Sequence, residues 1–258
     1  MITIKSKREI EIMKEAGIIL AKTREYLKDF IKPGITTLEI DKLAENHIVK
    51  LGGKPSFKGY NDFPGAVCTS VNEEVVHGIP SQRKLKSGDI ISIDLGVYYK
   101  GYHVDSAYTY AVGEIPEEYQ LLLKRTEESL YEGIKAAKAN NYISDISKAI
   151  EKYLKPFGYG IVREFTGHGI GRELHEEPYV PNFIGNEKGA LLKEGMTICI
   201  EPMVNLGTRK IYLKNDNWTV VTRDKKVSAH FEHTIAITSD GCKILTTLEE
   251  DGVWQGKI

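Results

Sequence analysis

Five side chains carry the chemistry open to this sequence: Asp94, Asp105, His168, Glu201 and Glu232. Residues 95–99 and 102–108 are β-like, and Lys100-Gly101 is a turn signal between them. With the loop centred between Tyr99 and Lys100, Asp94 and Asp105 are expected to face one another on one sheet face, Cβ atoms ~4.5–5.5 Å apart. Carboxylates so placed repel. They share a proton, share a cation, or remain solvated beside counter-ions. His168 lies in Thr166-Gly-His-Gly-Ile-Gly171, where flanking glycines leave the imidazole unobstructed. Glu201 closes the apolar run 196–200, and Pro202 halts regular pairing after it. A carboxylate there is costly to bury without a partner. Glu232 sits in the run 229–238, on the face opposite Phe231, Ile235 and Ile237 and together with His230, Thr234 and Ala236. Each position alone also fits a plain structural role. Together, two Asp, one His and two Glu suit two divalent cations, whose charge the four carboxylates would balance. One imidazole among oxygens favours Mn(II), Fe(II), Co(II) or Zn(II) over Ca(II). Two such ions ~3.5–4 Å apart can acidify a shared water and polarise a carbonyl, which is metal-assisted hydrolysis.

The elements that must position these residues are legible. Ser6-Lys7-Arg8-Glu9 reads as a capping box, followed by apolar residues at helical spacing until Pro33-Gly34. A second helix starts at Thr36-Thr37-Leu38-Glu39 and stops at Gly52-Gly53. Short β-like runs follow at 66–71, 74–79, 90–98 and 102–112. The order then restarts: a helix from Pro116 to about 139, another capped by Ser144 or Asp145, and strands near 162, 197–204, 218–222 and 229–237. Lys86-Ser-Gly-Asp-Ile-Ile-Ser-Ile-Asp94 aligns with Lys193-Glu-Gly-Met-Thr-Ile-Cys-Ile-Glu201, each ending in a carboxylate, and His77-Gly-Ile79 echoes His168-Gly-Ile170. The expectation is one α+β domain over 1–258 with two similar halves, about 1–113 and 114–248, and a polar cleft between them.

Composition bounds the rest. With 35 Lys+Arg against 36 Asp+Glu the chain is nearly neutral, unlike a dedicated nucleic-acid binder. Hydrophobic residues at 41% and charged residues at 28% suit a globular protein, and no apolar run reaches the ~18–20 residues of a membrane span. The first residues mix Lys5, Lys7, Arg8, Glu9 and Glu11 into apolar positions rather than forming a leader. Cys68, Cys199 and Cys242 are widely spaced and outside any C-x-x-C pair, which fits a reducing, cytoplasmic setting. No H-E-x-x-H, P-loop or G-x-S-x-G is present, Gly167-x-Gly-x-Gly171 is not a dinucleotide fingerprint, and the one E-x-x-H, Glu74 to His77, falls on a strand.

The five spaced residues, with His77-Gly-Ile-Pro80, Gly167-His-Gly-Ile-Gly171, His175-Glu-Glu-Pro178, Ile200-Glu-Pro202 and Phe231-Glu-His-Thr234, resemble the methionine aminopeptidases of the bacterial type I form, from about residue 4 to about residue 247. The resemblance implies a duplicated pita-bread fold with pseudo-two-fold symmetry. The activity it implies is removal of the initiator methionine from nascent proteins and peptides when the second residue is small. It implies that Asp94, Asp105, His168, Glu201 and Glu232 bind two divalent ions (Co, Mn, Fe(II) or Zn), with Asp105 and Glu232 bridging. Glu201 would also take the proton from the attacking water. His175 resembles the imidazole that hydrogen-bonds the scissile carbonyl oxygen, and His77 the one near the scissile nitrogen. Tyr60, Phe63, Cys68 and Trp218 resemble the walls of the methionine pocket, where a thioether gains from aromatic contact. Leu174, Asn61 and Phe57 depart from residues frequent in that family and alter the expected pocket shape. The 30 residues between Glu201 and Glu232 leave no room for the helical insertion of type II enzymes. Expected partners are polypeptides with N-terminal methionine, met in passing at the ribosome by a monomer that binds neither nucleic acid nor membrane. Two other readings are a prolidase or aminopeptidase P relative, which usually carries a substantial N-terminal domain, and a pita-bread binding protein that has lost catalysis. Relatives of the last kind lose ligands, whereas this sequence keeps all five.

Overall fold

The computed structural model describes residues 2–249; Met1 and residues 250–258 of the expected single domain lie outside them. Helix α1 (Lys7–Lys28) begins at the expected capping box: the Glu9 carboxylate accepts from the Ser6 N–H at 2.8 Å, while Ser6 Oγ accepts from the Glu9 N–H. Thr36 and Glu39 start α2 (Thr37–Lys50) in the same way. Met13, Ala16 and Leu20 of α1 and Ile40, Ala44 and Ile48 of α2 are buried with Leu95, Val97 and Val104 in one hydrophobic cluster. Helices α3 (Glu117–Ala136) and α4 (Ile143–Leu154) bury Leu130, Ile134, Ile146 and Ile150 in a second cluster with Ile198, Ile200 and Ile235. The cap of α4 is Tyr142, not Ser144 or Asp145. Asp145 acts from inside the first turn, its carboxylate accepting the Tyr142 N–H at 2.8 Å.

Among the described residues the strands form four antiparallel sheets. The long hairpin Ile90–Tyr99/Tyr102–Ala111 corrects one expectation. Its register pairs Asp94 with Ala107 and Gly96 with Asp105, so the two aspartates lie diagonally on the same face rather than directly opposite. Lys100 and Gly101, both with positive φ (47° and 93°), make a tight two-residue turn, and centring the hairpin there shifts every pair by two from the expected register. Cys68, on the neighbouring strand Cys68–Val71, is the partner of Asp94 on the other side.

The expected runs 197–204 and 229–237 are each broken, and at the same level. Thr197–Ile200 pairs with His233–Ile237 in a five-stranded sheet, whereas Met203–Asn205 pairs with Ser228–His230 in a three-stranded one. The register is unchanged across the gap, since Ile200 faces His233 and Met203 faces His230. Glu201 therefore stands opposite Glu232 and Pro202 opposite Phe231. Pro202 has no N–H for a ladder bond, and the Glu232 N–H turns instead to the Ala107 carbonyl at 2.9 Å, on the aspartate hairpin. The two glutamates thus leave their sheets where the chains switch partners. The aligned segments 86–94 and 193–201 also match in backbone: Gly88 and Gly195, identical in the alignment, both take left-handed φ (95° and 86°) in the turn before the strand.

Candidate active site

A cavity of about 570 Å³ gathers the residues picked out by chemistry. Asp94, Asp105, His168, Glu201 and Glu232 all line it, as do His77, His175, Tyr60, Phe63, Cys68 and Trp218. Glu232 does not lie on a solvated sheet face: Asp105, Glu201 and Glu232 are 4%, 9% and 2% exposed. One oxygen each of Asp94, Asp105 and Glu232 has no hydrogen-bond partner among the described residues. No lysine or arginine reaches any of the four carboxylates there; Glu201 is approached by imidazoles alone. Burial pushes all four carboxyl groups well above their usual range, and the charge of Asp105 pushes Asp94, Glu201 and Glu232 further.

Second-layer bonds hold these groups in place. Thr234 Oγ1 donates to the Asp105 carbonyl and accepts from its N–H, at 2.8 and 2.9 Å, tying the hairpin to the Glu232 strand. Ser106 donates to the Glu232 carbonyl at 2.7 Å, and Asn182 donates to that of Glu201 at 3.0 Å. His168, in the strand Gly167–Gly169, has Nδ1 2.8 Å from the Gly169 carbonyl, so Nδ1–H donates and the Nε2 lone pair faces Glu201 Oε1 at 3.6 Å. Burial lowers the His168 pKa to about 3, which keeps the ring neutral and able to act as a ligand.

Divalent metal fits this arrangement. Four inward carboxylates, three of them with an orphaned oxygen and none with a lysine or arginine partner among the described residues, are unstable as bare anions, and two positive ions would cancel their charge. Three overlapping groups bring donor atoms within 4.8 Å of one another: Asp94–Asp105–Glu232, Glu201–His230–Glu232 and His168–Cys199–Glu232. His230 and Cys199 were not picked out from the sequence. His230 was placed on the face of Glu232 but given no role, because only the break in the strand turns it toward Glu201. The Cys199 thiol is held protonated by burial and by Glu232, and faces Thr234 Oγ1 at 3.4 Å.

Around this centre the walls change character. His175 stands at the mouth with Nδ1 2.8 Å from the Tyr60 hydroxyl and its ring 4.3 Å from that of His168, centre to centre. His77 leaves the strand Glu74–Val76 with φ 59°, a left-handed conformation rare outside glycine, and lies edge-on to Phe165 and Trp218. Burial and then His175 lower its pKa to about 4. Phe63 and Trp218 meet edge to face at 5.1 Å. Phe57, Asn61 and Leu174 also line the cavity, as do Phe165 and Met203, which carried no sequence signal beyond being apolar.

A profile of metallopeptidase family M24 matches residues 11–239. Methionine aminopeptidase 1 of Bacillus subtilis is 56% identical over 246 residues, spanning 95% of this chain and 99% of its own. The chain belongs to the methionine aminopeptidases of family M24. The crystal structure of methionine aminopeptidase from Thermotoga maritima superposes with a TM-score of 0.93 at 44% identity, over 96% of this chain and all of the other. Prolidase from Pyrococcus furiosus shares the fold at 27% identity and a TM-score of 0.79, this chain spanning 66% of its length. The fold is the α+β pita-bread fold of these enzymes, and family membership makes the chain a divalent-metal-dependent aminopeptidase. No described helix is long and apolar enough to cross a membrane.

Proposed function

We propose that this chain removes the initiator methionine from nascent proteins and peptides whose second residue is small, acting in the cytoplasm as a monomer that meets its substrates at the ribosome. Its single catalytic domain has halves at about 1–113 and 114–248. Asp94, Asp105, His168, Glu201 and Glu232 would hold two divalent ions, Asp105 and Glu232 serving both. When bound, such ions supply Lewis acidity toward the scissile carbonyl and lower the pKa of water at the centre.

The chain's own groups do the rest. Glu201 takes the proton of the attacking water, its carboxylate standing in the cavity between the His168 and His230 imidazoles. His175, kept neutral by burial, carries one ring proton. With the Tyr60 O–H donating to Nδ1, that proton is fixed on Nε2, where it can donate to the carbonyl oxygen as negative charge builds. His77, which lines the same cavity, assists protonation of the departing amine. Phe63, Trp218, Tyr60 and the uncharged Cys68 thiol enclose the methionine side chain, whose sulfur gains from ring edges. The observation that carries this reading is the set of four inward carboxylates without lysine or arginine partners among the described residues, lining an aromatic pocket, in a chain 56% identical to a methionine aminopeptidase. Purified enzyme offered Met-Ala-Ser and an Xaa-Pro peptide should release methionine from the first and leave the second. The reverse preference would replace this reading with that of a prolidase-like relative.

A further inference from the structure

Among the described residues, His230 carries the one buried ring nitrogen at this centre that has no hydrogen-bond partner and no place in the proposed ligand set. It is 2% exposed, and its Nε2 has no hydrogen-bond partner among the described residues. Leaving a ring nitrogen in that condition costs about 1–3 kcal/mol unless something satisfies it. The Met203–His230 register places it beside the gap where Glu201 and Glu232 leave their sheets, and Nε2 lies 3.5 Å from Glu201 Oε2. On the other side of the same carboxylate, His168 Nε2 lies 3.6 Å from Oε1. Glu201 is thus flanked by two imidazoles at nearly equal distances.

Those distances are informative. N–H···O hydrogen bonds cluster near ~2.9–3.0 Å. Two donors each ~2.1 Å from one ion lie ~3.4 Å apart at a tetrahedral angle. Both separations match donors that share an ion better than donors bonded to each other. Glu201, His230 and Glu232 also bring one donor atom each within 4.8 Å of one another. We propose that His230 is a sixth ligand of the metal centre, giving Nε2 to the ion held by Glu201 and Glu232, beside His168. Two nitrogens among the oxygens shift the site's preference toward Fe(II), Co(II) and Zn(II) and away from Mg(II) and Mn(II).

This rests on the metal centre proposed above, and the test separates the two. Metal-free protein is reloaded with Zn(II), and its histidine ring nitrogens are followed by long-range ¹H–¹⁵N NMR. Two rings, His168 and His230, should show zinc-bound Nε2, and His230→Gln should leave one. Calorimetric titration against a competing chelator should show one of the two zinc ions bound at least about tenfold more weakly in that variant. A single zinc-bound ring in the wild-type protein, with zinc retained, would overturn the assignment while leaving the five-residue centre standing. If no ring responds and no zinc binds, the centre itself fails and this inference with it. The wild-type ring count decides the matter even if His230→Gln does not fold.

Discussion

Replacing Gly167 by alanine probes how tightly the site depends on its backbone. A Cβ at Gly167 would lie 2.2 Å from the Cys199 carbonyl oxygen, with Val180 Cβ at 3.1 Å on its flank. Relief to an ordinary contact of ~3.5 Å means parting the strands Gly167–Gly169 and Thr197–Ile200 by about 1 Å, because the obstacle is backbone and cannot rotate away. Overpacking of this kind costs about 1–3 kcal/mol, and in a domain of this size each kcal/mol lowers Tm by about 2–4 °C. The catalytic effect is larger. His168 rides on one of the parted strands and Glu201 follows directly on the other, so the separation of the two donors changes by the same ångström. A misplacement of that size can lower turnover by about 100-fold. Gly167→Ala should therefore lower kcat/KM on Met-Ala-Ser by about two orders of magnitude while Tm falls by only several degrees. Gly185→Ala, where an added Cβ meets nothing within 4 Å, is the control and should match the wild type. Wild-type turnover in Gly167→Ala, with its crystal structure showing the strands unmoved, would refute the reasoning.

Three further outcomes follow from the same geometry. The buried carboxyls have folded-state pKa values raised above their unfolded ones, so metal-free folded protein holds protons that the unfolded chain has released above about pH 4. Its Tm by calorimetry should fall as pH rises from 5 to 8, each unit of upward shift costing about 1.4 kcal/mol, whereas protein saturated with Co(II) should not show this loss; a flat metal-free profile would contradict the electrostatic account. Asp105→Asn should abolish turnover yet raise the Tm of metal-free protein at pH 8, since one of four repelling charges is gone; lower stability without metal would tell against that repulsion. His175→Ala should lower kcat by about 100-fold or more while metal content stays near wild type, and a large loss of metal would instead mark His175 as a ligand.

Much of the site was legible because its residue types are expensive where they stand. Glu201 after an apolar run and His168 between glycines stand out in one dimension, and the Ser6/Glu9 and Thr36/Glu39 boxes mark helix starts by local chemistry alone. What the sequence did not show is set by distant contacts. The two-residue placement of Lys100-Gly101 decides whether Asp94 meets Asp105 squarely or on the diagonal, and hydrophobic alternation does not count turn residues. Period-two reading carried residues 229–237 through as one strand, because nothing local to Phe231-Glu232 announces that the neighbouring Pro202 has broken the ladder. His230 was hidden by the same break: a histidine on a sheet face and one aimed at Glu201 look alike until the two chains are side by side.

The central claim is that side chains spread from Asp94 to Glu232 converge on divalent ions that this chain needs in order to release N-terminal methionine. The direct measurement is methionine release from Met-Ala-Ser by one sample, first stripped of metal by chelation and verified metal-free, then resupplied with Co(II), Mn(II) or Fe(II). The account predicts no release after stripping and recovery on resupply. Undiminished release by the verified metal-free enzyme would contradict it.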